Sequence, residues 1–181
     1  MWRDFESTEI AGDDKVIDKN ELVKNFLSDT HCKERSLTSS EDLSEFLRDI
    51  KEEITGKSGV YCIYNNKTRE VLDIGESKDL HRRIREQLIG SKNKKDEIQR
   101  FTRLFFAVLK KEKGIKEKEY FASPKETREE LVKFYQNIIF KSGNTLRVYS
   151  TGDDHIKAFV LEQALIQFFN KKSQCKYNYQ V

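Results

Sequence analysis

The stretch SGVYCIYNNKTREVLDIGESKDLHRRIREQL, residues 58 to 88, decides how the chain is read. Val60 to Tyr64 and Glu70 to Ile74 are two β-prone runs, and the turn-forming Asn65-Asn66-Lys67 between them predicts a β-hairpin. Gly75 ends the second run, and Ser77 can cap a helix. In that helix Leu80, Ile84 and Leu88 recur at fourfold spacing with Arg82, Arg83 and Arg85 between them. The hairpin thus feeds a basic amphipathic helix.

Toward the amino terminus, Gly56-Lys57-Ser58-Gly59 breaks the pattern, and residues 1 to 57 read as an acidic, mostly helical extension. Its first 18 residues read as a poorly ordered arm or a short, weakly held segment. Residues 20 to 29 place Leu22, Val23, Phe26 and Leu27 on one helical face, and 40 to 54 repeat this with Leu43, Phe46, Leu47 and Ile50. These stripes predict packing against the domain that follows, residues 58 to 181.

Toward the carboxy terminus, a Gly90-Ser91-Lys92-Asn93 loop precedes Ile98, Phe101, Phe105, Val108 and Leu109, whose spacing predicts a helix over about 94 to 112. Leu104 to Leu109 alone also fits a buried strand. Ser123-Pro124 starts a further helix carrying Leu131, Phe134, Tyr135 and Ile138, closed by Gly143. Thr145 to Thr151 alternates as a strand. Ile156 to Phe169 is a strongly apolar helix containing one acid, Glu162.

A chain of 181 residues, 36% apolar and 36% charged, with twelve Phe and seven Tyr, supports one packed domain rather than a disordered segment. No run approaches the roughly 20 apolar residues of a membrane span, and the acidic start lacks a signal peptide's basic and apolar regions. A cytoplasmic protein without a membrane partner is expected. Cys32, Cys62 and Cys175 form no CxxC pair, so neither a disulfide framework nor a structural zinc site is suggested.

Charge is unevenly spread. Residues 1 to 57 hold 9 basic and 15 acidic side chains, a net of −6, whereas residues 78 to 118 hold 14 basic and 6 acidic, a net of +8. The basic middle suits a polyanionic partner. Solvated Lys-rich helices are the plainer alternative.

Gly59-Val60-Tyr61 and Asp73-Ile74-Gly75, with eleven residues between them, the helix carrying Arg83, Glu162 within VLEQALI and the late Asn178 come in the order of a known pattern. In these features the chain resembles the GIY-YIG nuclease family over about 120 residues. The resemblance implies an α/β fold in which a small three-stranded antiparallel sheet, flanked by helices, presents Tyr61, Arg83 and Glu162 to one phosphodiester. It implies an endonuclease hydrolysing DNA, RNA not being excluded, of restriction-like, repair or mobile-element type, with Mg²⁺ or Mn²⁺ held by Glu162.

The chemistry of these residues suits such roles. Glu162 is a hard oxygen donor for a cation that keeps several waters, and the Arg83 guanidinium matches two phosphate oxygens. Tyr61 is expected to orient or deprotonate water, its phenol lowered by the metal and Arg83. Lys78, Arg82, Arg85, Lys92, Lys94, Lys95 and Asn178 are expected to contact nucleic acid, and double-strand cleavage would need a homodimer or successive nicks. The sequence departs from the pattern at Asp73, where the family has tyrosine, and at Glu76 and Gln87. Asp73 or Glu76 assists metal or proton transfer, stands by, or marks a catalytically degenerate nucleic-acid-binding module. His81 and His155 read as solvated.

Overall fold

The computed structural model describes residues 17–28, 32–92, 99–100, 103–170 and 176. In chain order the elements are α1 (Lys19–Leu27), β1 (Lys33–Ser36), α2 (Ser40–Asp49), α3 (Lys51–Ile54), β2 (Ser58–Asn65), β3 (Val71–Ser77) and α4 (Leu80–Leu88). Then follow β4 (Ser91–Lys92), β5 (Gln99–Arg100), α5 (Arg103–Lys113), α6 (Glu117–Ala122), α7 (Lys125–Ile139), β6 (Asn144–Gly152) and α8 (His155–Asn170). The expected amino-terminal arm lies almost wholly outside the described residues. Among the described residues no helix is long and apolar enough to cross a membrane.

The hairpin forms as β2 and β3, paired antiparallel with Tyr61 opposite Gly75. Its turn is held by the Asn65 side chain, whose Oδ1 accepts from the Lys67 and Thr68 amides at 3.0 Å each. The second strand runs on through Ser77. Asp79 rather than Ser77 caps α4, accepting from the Arg82 amide at 3.1 Å, while Ser77 Oγ bonds the Asp79 amide and carbonyl.

β6 pairs with the other side of β2, so the strand order is β1-β6-β2-β3, a mixed α/β arrangement around a four-stranded antiparallel sheet. The strands expected from the sequence are the β2–β3 hairpin and β6. The fourth, β1, comes from the extension read as helical and pairs antiparallel with β6. Lys33, Glu34, Arg35 and Ser36 have no apolar alternation because β1 is a charged outer strand, which is how sheets protect their edges. The helix expected over 94 to 112 begins at Arg103, since residues 91–92 and 99–100 pair as a short ladder.

Both faces of the sheet are covered, which explains why β2 is buried almost continuously rather than alternately. One face carries Tyr61, Ile63, Leu72, Leu146 and Val148 against residues of α2, α4, α5 and α7. The other carries Val60, Cys62, Val71 and Ile74 against Leu22, Val23 and Phe26 of α1 and Ala158, Leu161 and Leu165 of α8. Arg147 of β6 ties the extension down. Its Nε lies 2.6 Å from Glu34 of β1, and its Nη1 donates to the Phe26 and Leu27 carbonyls at 3.2 and 3.3 Å. That places a cation at the carboxy-terminal end of α1, where the helix dipole favours it.

Candidate active site

The chemistry-bearing residues gather at the end of β3, divided between the two faces of the sheet. Successive β3 side chains point to opposite faces, so Asp73 faces α4 with Tyr61, and Glu76 faces α8 with Val60, its partner across the ladder.

On the α4 side Tyr61 is fully buried, and its hydroxyl donates to Asp73 Oδ2 at 2.9 Å. Gln87 Nε2 donates to the Tyr61 hydroxyl oxygen at 3.0 Å and to the same Asp73 oxygen at 3.3 Å. The Tyr135 hydroxyl donates to the Gln87 carbonyl at 2.6 Å. Gly75 is required here because the Tyr61 ring lies across it: a Cβ at Gly75 would sit 2.5 Å from the Tyr61 oxygen.

The lowering expected of the Tyr61 phenol rests on a bound metal as well as Arg83; the protein's own groups act in the other direction. Burial, and then the Asp73 carboxylate beside it, push the phenol well above its ordinary value, and the nearby Arg83 opposes this only in part. Tyr61 is therefore a proton donor within the core. Asp73 is likewise interior, 1% exposed, with its carboxyl raised by burial and opposed by Arg103, Tyr61, Gln87 and Arg83.

Because the folded carboxyl lies above its unfolded value, stability associated with Asp73 is complete below the unfolded carboxylate range and is lost as pH rises through the folded value. Asp73→Asn keeps an acceptor for Tyr61 and Gln87. It is expected to melt higher than wild type near neutral pH, by on the order of 1 kcal/mol or about 3 °C, with the difference vanishing in acid. Thermal denaturation across pH measures this, and a variant that melts lower at every pH would refute it.

On the α8 side Glu162 is 9% exposed. Its Oε1 accepts from the Glu76 amide at 3.2 Å and its Oε2 from Gln163 Nε2 at 3.3 Å. Burial raises its carboxyl, the Glu76 carboxylate adds to this, and Arg103 opposes it. Glu76 Oε2 lies 3.4 Å from His155 Nδ1, yet neither atom is aligned for a hydrogen bond. His155 is thus half-buried against an acid rather than simply solvated.

Arg103, at the start of α5, spans the two sides. Its Nη2 donates to the Ile74 carbonyl at 3.4 Å, lies 3.8 Å from Asp73 Oδ1, and is close enough to oppose the raised carboxyl of Glu162. The sequence placed it mid-helix among many cations, with no local signal to single it out. Arg83 lies near Tyr61 and Asp73 with its Nε buried and without a hydrogen-bond partner.

Lys78, Arg82 and Arg85 are exposed around α4, with Arg82 3.7 Å from Glu86. Lys92 lies in β4. Lys94, Lys95 and Asn178 lie outside the described residues.

Glu162, its carboxyl raised by burial and by the neighbouring Glu76 carboxylate, and Glu76, with a buried oxygen taking no hydrogen bond, suit a divalent cation. Among the described residues no three His, Cys, Asp or Glu side chains form a metal-binding group. Mg²⁺ or Mn²⁺ at Glu162 and Glu76 would therefore draw its remaining ligands from water and substrate, as Mg²⁺ ordinarily does. No protein-family model matches the chain, and no curated protein or solved structure matches it at a significant level.

Proposed function

We propose that the chain is a divalent-metal-dependent endonuclease that hydrolyses DNA phosphodiester bonds on a GIY-YIG-like frame. The observation that carries this reading is the set of buried polar atoms without hydrogen-bond partners around β3, α4 and α8: Glu76 Oε2 and His155 Nδ1, which lie 3.4 Å apart, Arg83 Nε and Gln87 Oε1. Interior polar groups are nearly always paired, and unpaired ones concentrated beside two carboxylates and two guanidinium groups fit a site that its substrate completes.

Glu162, with Glu76, would hold the cation, which supplies charge neutralisation at the phosphate and a more acidic water. Arg83 and Arg103 would clamp the phosphate oxygens and offset developing negative charge. Tyr61, Asp73 and Gln87 hold β3 against α4, positioning Arg83 without touching substrate. One such site cuts one strand per encounter, so cutting both strands takes a second copy or a second event.

A second reading, a nucleic-acid-binding module without chemistry, is favoured by the enclosure of Tyr61 and Asp73. Incubating the protein with supercoiled plasmid in Mg²⁺ or Mn²⁺ separates the two. Wild type is expected to nick it, and Arg103→Ala to be slower by about 10²- to 10³-fold. Binding without nicking under either metal would favour the module, and undiminished nicking by Arg103→Ala would remove Arg103 from the site.

A further inference from the structure

The solvent face of α8 begins with two large apolar side chains, Ile156 at 66% and Phe159 at 51% exposure, and continues with the exposed Gln163 and Gln167. Phe121 is also exposed but packs its ring against Phe106 and Tyr120. At 3.6 residues per turn, Phe159 neighbours Glu162 on the helix surface, one turn away at the rim between its buried and exposed faces. Phe159 thus presents a solvent-facing aromatic ring beside the candidate phosphate site.

We infer that Phe159, with Ile156 beside it, is a stacking platform for an unpaired nucleobase next to the scissile phosphate, so that the substrate is single-stranded or splayed at the cut. The inference rests on the nuclease reading and adds a substrate class to it.

Charge complementarity supports this occupant. Arg103 stands near Glu162, and Lys78 is exposed where β3 meets α4, so a strand backbone has cations near the site. Area argues against a second copy of the chain. Two side chains offer about 300 Å², well short of the roughly 800 Å² per partner that a stable protein interface buries. A base needs no more than one ring face, and stacking on an aromatic is worth about 1–3 kcal/mol per base. A continuous duplex keeps its bases stacked on one another and cannot use the ring.

The test measures binding with Ca²⁺ in place of Mg²⁺, so that its result does not depend on cleavage. The probes are a short single strand carrying a fluorescent base analogue and a duplex of the same length. Phe159→Ala is expected to weaken single-strand binding by about 5- to 100-fold and leave duplex binding unchanged, with Phe159→Trp restoring it. Stacking should also quench the analogue in wild type and not in Phe159→Ala. Equal single-strand affinity in wild type and Phe159→Ala would overturn the inference, as would self-association of wild type that Phe159→Ala abolishes. Stacking-dependent binding by a protein that never cuts would uphold the platform and overturn the endonuclease reading alone.

Discussion

Glu162→Gln is expected to abolish cleavage in Mg²⁺ or Mn²⁺ while raising the melting temperature near neutral pH. Cation binding at a phosphate supplies several kcal/mol of transition-state stabilisation, so loss of the carboxylate should slow nicking by about 10³-fold or more. The stability change has the opposite sign for an electrostatic reason. Burial and Glu76 raise the Glu162 carboxyl, so its ionised form is disfavoured in the fold, and a neutral amide that still accepts from the Glu76 amide escapes that repulsion. Added Mg²⁺ should stabilise wild type and not the variant, because only wild type binds it in the folded state. A residue serving the fold alone would not show the loss of the metal response, and undiminished cleavage would end the assignment. Such opposition of stability and activity is the mark of a group kept for function.

Gly59→Ala is expected to destabilise the fold more than any other single methyl group considered. A Cβ there would lie 2.2 Å from the Tyr149 carbonyl oxygen, 2.5 Å from Leu80 Cδ1 and 3.0 Å from Ser150 Cα. Leu80 has some freedom to turn, but the Tyr149 oxygen is backbone in the strand paired to β2. The register of that pair shifts between Ser58 and Gly59, and the irregular step draws the two backbones together. Relief requires parting β2 from β6 near the start of α4. A loss of about 3 kcal/mol or more, lowering the melting temperature by about 6–12 °C, should follow. Chemical or thermal denaturation measures it, and a variant as stable as wild type would mean that the strands separate there at little cost.

The hairpin, the basic helix and α8 were legible because each carries its own apolar period, and Glu162 stood out as a lone acid in an apolar run. β1 was not legible, since a four-residue outer strand of charged side chains has no period to read. Arg103 escaped for a different reason: its position depends on where α5 begins, which a local apolar pattern fixes only loosely. The surroundings of Tyr61 were not legible because they depend on what the strand faces. Its neighbours in space are Asp73 and Gln87 rather than solvent, and neither proximity can be read from the order of residues alone.

The tie between Glu34 and Arg147, 113 residues apart in sequence, also sets an order in time. During synthesis β1 leaves the ribosome long before the strand it pairs with has been made, a wait on the order of 10 s at ordinary rates of elongation. Throughout that interval its backbone is open to any other nascent or unfolded chain. Lys33, Glu34 and Arg35 make it a poor template for such pairing, so the charges that hid β1 from pattern reading also guard it until Arg147 arrives.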